Sequence, residues 1–209
     1  MSGGWIHNLA MSHDGSLIAT VHQREGVQTI QLWDAVTGDA VEPSALEGHR
    51  LGATSGTLAD ITADGKQLVG VVARGEAPIV SYEAQVRDAT TGASRMRLRI
   101  PGREVKITAL AYDPAGEQLA IAAQGAGFKG SLWIWDVRST PPLQRPLHGH
   151  KGGASANVFG LSFSPDGEQL VSTGFDGTIR VWNTLKAESM GKPLEVLRGR
   201  VLAVAISPD

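Results

Sequence analysis

One short pattern recurs through this chain and decides what it can become. Two apolar residues stand two apart, and a turn sequence follows at once. The copies are Leu9-Ala-Met-Ser-His-Asp-Gly15, Ala59-Asp-Ile-Thr-Ala-Asp-Gly65, Leu110-Ala-Tyr-Asp-Pro-Ala-Gly116 and Leu161-Ser-Phe-Ser-Pro-Asp-Gly167. Val204-Ala-Ile-Ser-Pro-Asp209 repeats its beginning. The glycines recur about every 50 residues. A period of two is that of a strand buried on one face. In the turns, proline presets φ and glycine accepts the left-handed conformation. A second apolar run follows each turn, as in Leu17-Ile-Ala19, Leu68-Val-Gly70, Leu119-Ala-Ile121 and Leu170-Val-Ser172. The pattern therefore predicts a β-hairpin, four times over.

Two further markers follow each hairpin in a fixed order. The first closes a third strand: Leu32-Trp-Asp34, Val86-Arg-Asp88, Ile134-Trp-Asp136 and Val181-Trp-Asn183. The second ends the unit: Gly48-His49, Gly102-Arg103, Gly149-His150 and Gly199-Arg200. Between them there is room for a fourth strand. A four-stranded sheet cannot cover both of its faces alone, and stacking on neighbouring sheets buries them.

These markers resemble the WD-repeat family, whose repeats run from Gly-His to Trp-Asp. The resemblance covers nearly the whole chain and implies an all-β fold, a β-propeller of four-stranded antiparallel blades. It places repeats at 5–50, 51–103 (divergent), 104–150 and 151–200, with the first strand of a fifth at 201–209. Family rings usually hold more blades, so the expectation is an incomplete ring and a fragment of a larger propeller protein. The resemblance also implies a hydrogen-bonded set of His, Ser/Thr, Asp and Trp inside a blade. The fourth unit supplies it as His150, Ser172, Asp176 and Trp182. The second unit has Arg87 in the Trp position. The third has Trp135 but Arg103 for His, and the first has Trp33 but no preceding Gly-His. Packing is expected to hold those three blades.

Composition narrows the remaining possibilities. The 209 residues carry 19 basic and 21 acidic side chains, a net charge of −2, which points to neither nucleic acid nor a membrane surface. With no cysteine, disulfides and thiolate metal sites are excluded. There is no run of about 18 apolar residues and no basic-then-apolar start, so a cytoplasmic location is expected. No nucleophile elbow, phosphate loop or His-Glu-x-x-His is present, so no catalytic, cofactor or metal residues are assigned. His148-Gly-His150 is read as a propeller turn rather than a metal site. Asp14, Asp64 and Asp166 recur at one position of each repeat, as turn residues do. Trp133 and Trp135 share one face of a strand and are read as packing.

Recognition is expected at loops and at one charged strand. The connections between second and third strands contribute Arg24, Arg74, Lys129 and Phe175. Arg95, Arg97 and Arg99 alternate along the outer strand of the second unit, either as a stripe for an acidic partner or as a solvated edge. The function expected is a non-catalytic interaction scaffold for other proteins or peptides, with self-association of this fragment through its open edges. The alternative, also carried by resemblance, is the propeller portion of a multidomain enzyme: a serine peptidase, or the sensor arm of a signalling kinase or ATPase.

Overall fold

In the computed structural model of the chain, residues 5–12, 14–24, 27–50, 59–74, 81–101, 105–125, 130–150, 157–196 and 200–207 are described. All of the regular structure among them is β. The first sheet holds β1 (Trp5–Met11), β2 (Leu17–Arg24), β3 (Val27–Asp34) and β4 (Ala40–Arg50). The second holds β5 (Ala59–Ile61), β6 (Gln67–Arg74), β7 (Ser81–Asp88) and β8 (Ser94–Arg99). The third holds β9 (Lys106–Tyr112), β10 (Gln118–Gln124), β11 (Gly130–Asp136) and β12 (Leu143–Leu147). The fourth holds β13 (Val158–Phe163), β14 (Gln169–Gly174), β15 (Thr178–Asn183) and β16 (Glu188–Glu195). Each sheet is a meander in chain order, antiparallel throughout.

One turn chemistry closes the first hairpin of every sheet. The amide of Leu17 donates to Ser12 Oγ, that of Gln67 to Thr62 Oγ1, that of Gln118 to Asp113 Oδ1 and that of Gln169 to Ser164 Oγ. In three of the turns the hydroxyl donates in turn to the turn aspartate, at 2.6 Å for Asp14, 2.7 Å for Asp64 and 2.5 Å for Asp166. The amide of the residue after the turn glycine, and in the first turn its hydroxyl too, donates to the same carboxylate oxygen, and this donor set holds the Asp14 carboxyl at about 2. In the third sheet Asp113 replaces the hydroxyl and Ala115 the aspartate, and burial pushes the Asp113 carboxyl up. Each turn glycine has φ near +70°, from Gly15 to Gly167, which is why glycine stands there. The aspartates of the Trp-Asp markers cap the following turn: Asp34 accepts from Val36 and Thr37, Asp88 from Thr90 and Thr91.

The chain divides into two compact units, 1–104 and 105–209. Within each, the first strand of the later sheet packs on the face of the earlier one. In the first unit Ala59 and Ile61 meet Ala19, Val21, Ile30 and Leu32. In the second, Phe163 and Leu161 meet Ala109, Ala111, Ala120, Ala122, Leu132 and Ile134. In the second unit the seat has a simple composition, with alanines from two strands and branched aliphatics from the third. The small residues let a neighbouring backbone come close, and the aliphatics fill what remains.

Residues 201–207, expected as the start of a fifth first strand, join no ladder among the described residues. In each of the four sheets the first strand is paired by the second strand of its own hairpin. The segment lies against the fourth sheet instead. Val201 N–H donates to Gly174 O at 3.4 Å and Ile206 N–H to Ser162 Oγ at 3.3 Å.

Candidate functional site

The fourth sheet builds its loop end from the inside outward. Trp182, 1% exposed, donates its indole N–H to Ser172 Oγ at 2.8 Å. Ser172 Oγ lies 2.7 Å from His150 Nε2, and His150 Nδ1 lies 3.0 Å from Asp176 Oδ2. With a neutral imidazole the protons run one way through this chain: indole to serine, serine hydroxyl to Nε2, Nδ1–H to the carboxylate. Burial indeed pushes the His150 imidazole below its usual value, with the Asp176 carboxylate pulling the other way. Asp176 also accepts from the Thr178 amide and hydroxyl, so it pins the Phe175-Asp-Gly177 turn.

A pH dependence follows. A histidine whose folded value is depressed adds stability above its unfolded value of 6.5, and loses it as pH falls below that. Between about pH 7 and about pH 5 the urea midpoint will fall in the wild type and fall less in His150→Gln. Equal slopes in the two proteins would remove His150 as the cause.

The pinned turn presents Phe175. Its ring is half-buried, tilted against Phe159 with centroids 5.6 Å apart. The guanidinium of the exposed Arg200 lies over the ring, 3.6 Å from its centroid. A rigid aromatic with one polar neighbour is the kind of anchor that interfaces use. Phe175 is thus the loop candidate whose surroundings are built. Arg24 and Arg74 end β2 and β6, with side chains outside the described residues, and Lys129 lies outside them altogether.

Arg95, Arg97 and Arg99 are exposed on the edge strand β8, with Leu98 buried between them. Arg95 pairs with Asp88 at 2.5 Å and Arg99 approaches Glu83 at 3.9 Å. Part of the stripe's charge is therefore answered within the sheet.

The first and second sheets add polar sets to the packing expected to hold them, and the third does not. In the first, Trp33 donates to Thr20 Oγ1 at 2.6 Å, and Thr20 Oγ1 lies 2.6 Å from His22 Nε2. The histidine is supplied from the second strand, two residues past the hydroxyl. In the second, Arg87, Gln85 and Glu83 alternate on β7 and form a buried ladder. Arg87 donates to Gln85 at 3.0 Å and Gln85 to Glu83 at 2.9 Å. Gly70 stands opposite Gln85 and leaves room for it. The third sheet has the hydrophobic solution. Ile121 occupies the place of the hydroxyl, and the buried Trp135 N–H has no acceptor among the described residues. The signal for the second ladder was Glu83-Ala-Gln-Val-Arg87, a polar period of two on a strand.

Trp133 and Trp135 do share a face, opposite Ile121 and Leu119, and Trp135 is buried. Trp133 lines a cavity of about 330 Å³ with Pro146, His148 and His150. Among the described residues no three His, Asp or Glu side chains converge as metal ligands would.

Four-stranded antiparallel meanders, paired within each unit by the first strand of one on the face of the other, are the blades of a β-propeller. Residues 141–183 match the family described as WD domain, G-beta repeat. The chain is 35% identical over 105 residues to the Periodic tryptophan protein 2 homolog of Neurospora crassa, covering 50% of this chain and 11% of that protein. Protein ROOT INITIATION DEFECTIVE 3 of Arabidopsis thaliana is 32% identical over 123 residues, 56% of this chain and 26% of that one. Protein transport protein sec31 of Aspergillus fumigatus is 29% identical over 108 residues, 51% and 8%. The chain thus spans a small part of the length of these relatives. Among solved structures, Kuenenia stuttgartiensis Hydrazine Synthase matches with a TM-score of 0.72 at 15% identity, over 98% of this chain and 66% of that chain. That likeness is one of fold.

Proposed function

We propose that the chain is a non-catalytic interaction module whose blades hold loops in place for other proteins or peptides. The observation that carries this reading is the end of the fourth blade. A buried relay from Trp182 to Asp176 fixes a three-residue turn, and that turn offers Phe175 in contact with Phe159 and Arg200. Binding through a preformed anchor avoids the cost of ordering a loop. The likeness to WD-repeat relatives supports the same reading, since WD-type blades commonly serve as platforms.

The test is a photo-crosslinking residue at position 175 in the source cell. Specific protein adducts are expected, and Phe175→Ala in the unlabelled chain should lower recovery of the same proteins about tenfold or more. Recovery of the same proteins that is unchanged by Phe175→Ala would place recognition elsewhere. A turnover activity found in the purified chain would overturn the non-catalytic reading.

A further inference from the structure

We propose that β8, the outer strand of the second blade, is a docking edge for an extended acidic segment of a partner protein, which adds to the sheet as one more strand and sets carboxylates against Arg97 and Arg99.

The backbone makes the first part of the case. An outer strand carries a row of N–H and C=O groups outside any ladder, and proteins usually blunt such an edge. Proline does so in three of the four blades, as Pro43 in β4, Pro146 in β12 and Pro193 in β16, because it has no N–H to donate. In β16, Gly191 at φ +69° and a shift of register interrupt the edge further. β8 reads Ser94-Arg-Met-Arg-Leu-Arg99 and has no proline. From Met96 opposite Val86 to Arg99 opposite Glu83 its register on β7 is unbroken. No strand among the described residues pairs with its other edge.

Charge makes the second part. Arg97 and Arg99 stand opposite Gln85 and Glu83, so they share the face that carries the buried ladder of β7. Among the described residues two acids meet the arginines of β8, and neither is left over for a partner. Asp88 takes Arg95. Glu83 is enclosed, accepts from Gln85 and stays 3.9 Å from Arg99, whose own side chain is 88% exposed. Arg97 is exposed and has neither ion pair nor hydrogen bond among the described residues. Arg145 on β12 shows the other outcome for an outer-strand arginine. It is used up within its unit, donating to Leu185 O and Gln118 Oε1.

Together these features select the occupant. A second β8 would bring arginine against arginine, so the edge rejects its own copy. A strand laid beside β8 puts every second side chain on the arginine face, about 7 Å apart. Carboxylates at two alternate positions then meet Arg97 and Arg99, whose planar forks can take each with paired hydrogen bonds. The residues between them fall on the side of Met96 and Leu98 and are apolar. Main-chain pairing supplies affinity and the alternation supplies choice. The site is built from the second blade alone and does not rest on Phe175.

The test uses the full chain and a fluorescein-labelled peptide of about eight residues in which Glu and Val alternate, followed by anisotropy. The peptide should bind. The double variant Arg97→Gln/Arg99→Gln, altered only at exposed positions and with unchanged circular dichroism, should bind it about tenfold or more weakly. A peptide of alternating Glu and Pro has the same charge but lacks half the amide donors, and should bind as weakly as that. Exchange of the amide hydrogens of 94–99 should slow when the Glu-Val peptide is present. Failure of the Glu-Val peptide to bind would overturn the proposal, as would equal binding of the two peptides or a double variant that binds as the wild type does. Oligouridylate that binds as tightly as the Glu-Val peptide would also overturn it, by showing an edge that reads charge alone.

Discussion

Trp182→Ala will cost about 3–5 kcal/mol of stability, the range for truncating a fully buried indole. For a chain of this size that is a fall of roughly 10 °C in Tm. The cost arises from the cavity. Trp182 is 1% exposed and belongs to the cluster that joins the third and fourth blades, with Leu132, Ile134 and Leu170 around it. Losing its N–H leaves no orphan, because Ser172 keeps His150 as its partner. Trp33→Ala is the internal control. The same residue at the same place in the first blade also donates to a hydroxyl, but its ring is half-buried. Its loss leaves less cavity and costs clearly less. Urea unfolding followed by far-UV circular dichroism measures both, free of the fluorescence that the substitutions remove. Equal costs would show that the seat, rather than the residue type, had been misjudged.

Gly174→Ala is the second large effect, about 3 kcal/mol for one added methyl. The backbone there has no positive φ, so conformational freedom is not the issue. A Cβ at 174 would stand 2.6 Å from Asp176 Oδ1, 2.7 Å from His150 Nδ1 and 3.0 Å from His150 Cε1. Both groups are nearly enclosed, their side chains 7% and 5% exposed. Neither can step aside without giving up the bond between them. The substitution should therefore also flatten the pH dependence assigned to His150, just as His150→Gln does. Gly15→Ala separates the two causes: φ is +71° and nothing lies within 4 Å, so only backbone strain of about 1 kcal/mol applies. If Gly174→Ala costs no more than Gly15→Ala, the crowding argument fails.

Much of this was legible because each blade is written locally. The apolar pair, the turn and the Trp-Asp marker sit within one sheet, and a period of two needs no knowledge of the rest of the chain. The relay of the fourth blade was legible for the same reason, as its four residues recur in the family at fixed places. The relay of the first blade was not, because its histidine comes from the second strand rather than from a Gly-His marker. His22 differs from a loop histidine only in facing the same way as Thr20, which is a matter of register. The ladder of the second blade was missed by reading Arg87 alone. Its partners Gln85 and Glu83 become visible only once the strand's buried side is known. Residues 201–207 show the converse limit. A strand sequence forms a ladder only if another strand is there to pair with it, and the motif does not carry that information.

The turn clamps bear on how such a chain finds its fold. Each closes between residues no more than five apart, as from Ser12 to Leu17 or Ser164 to Gln169. Hairpin register is thus settled before any blade meets another, and at little loop-closure cost. Blade order is settled later, by seats whose rows nearly repeat from blade to blade. Errors of folding in this chain should therefore keep every hairpin right and put the wrong blades side by side.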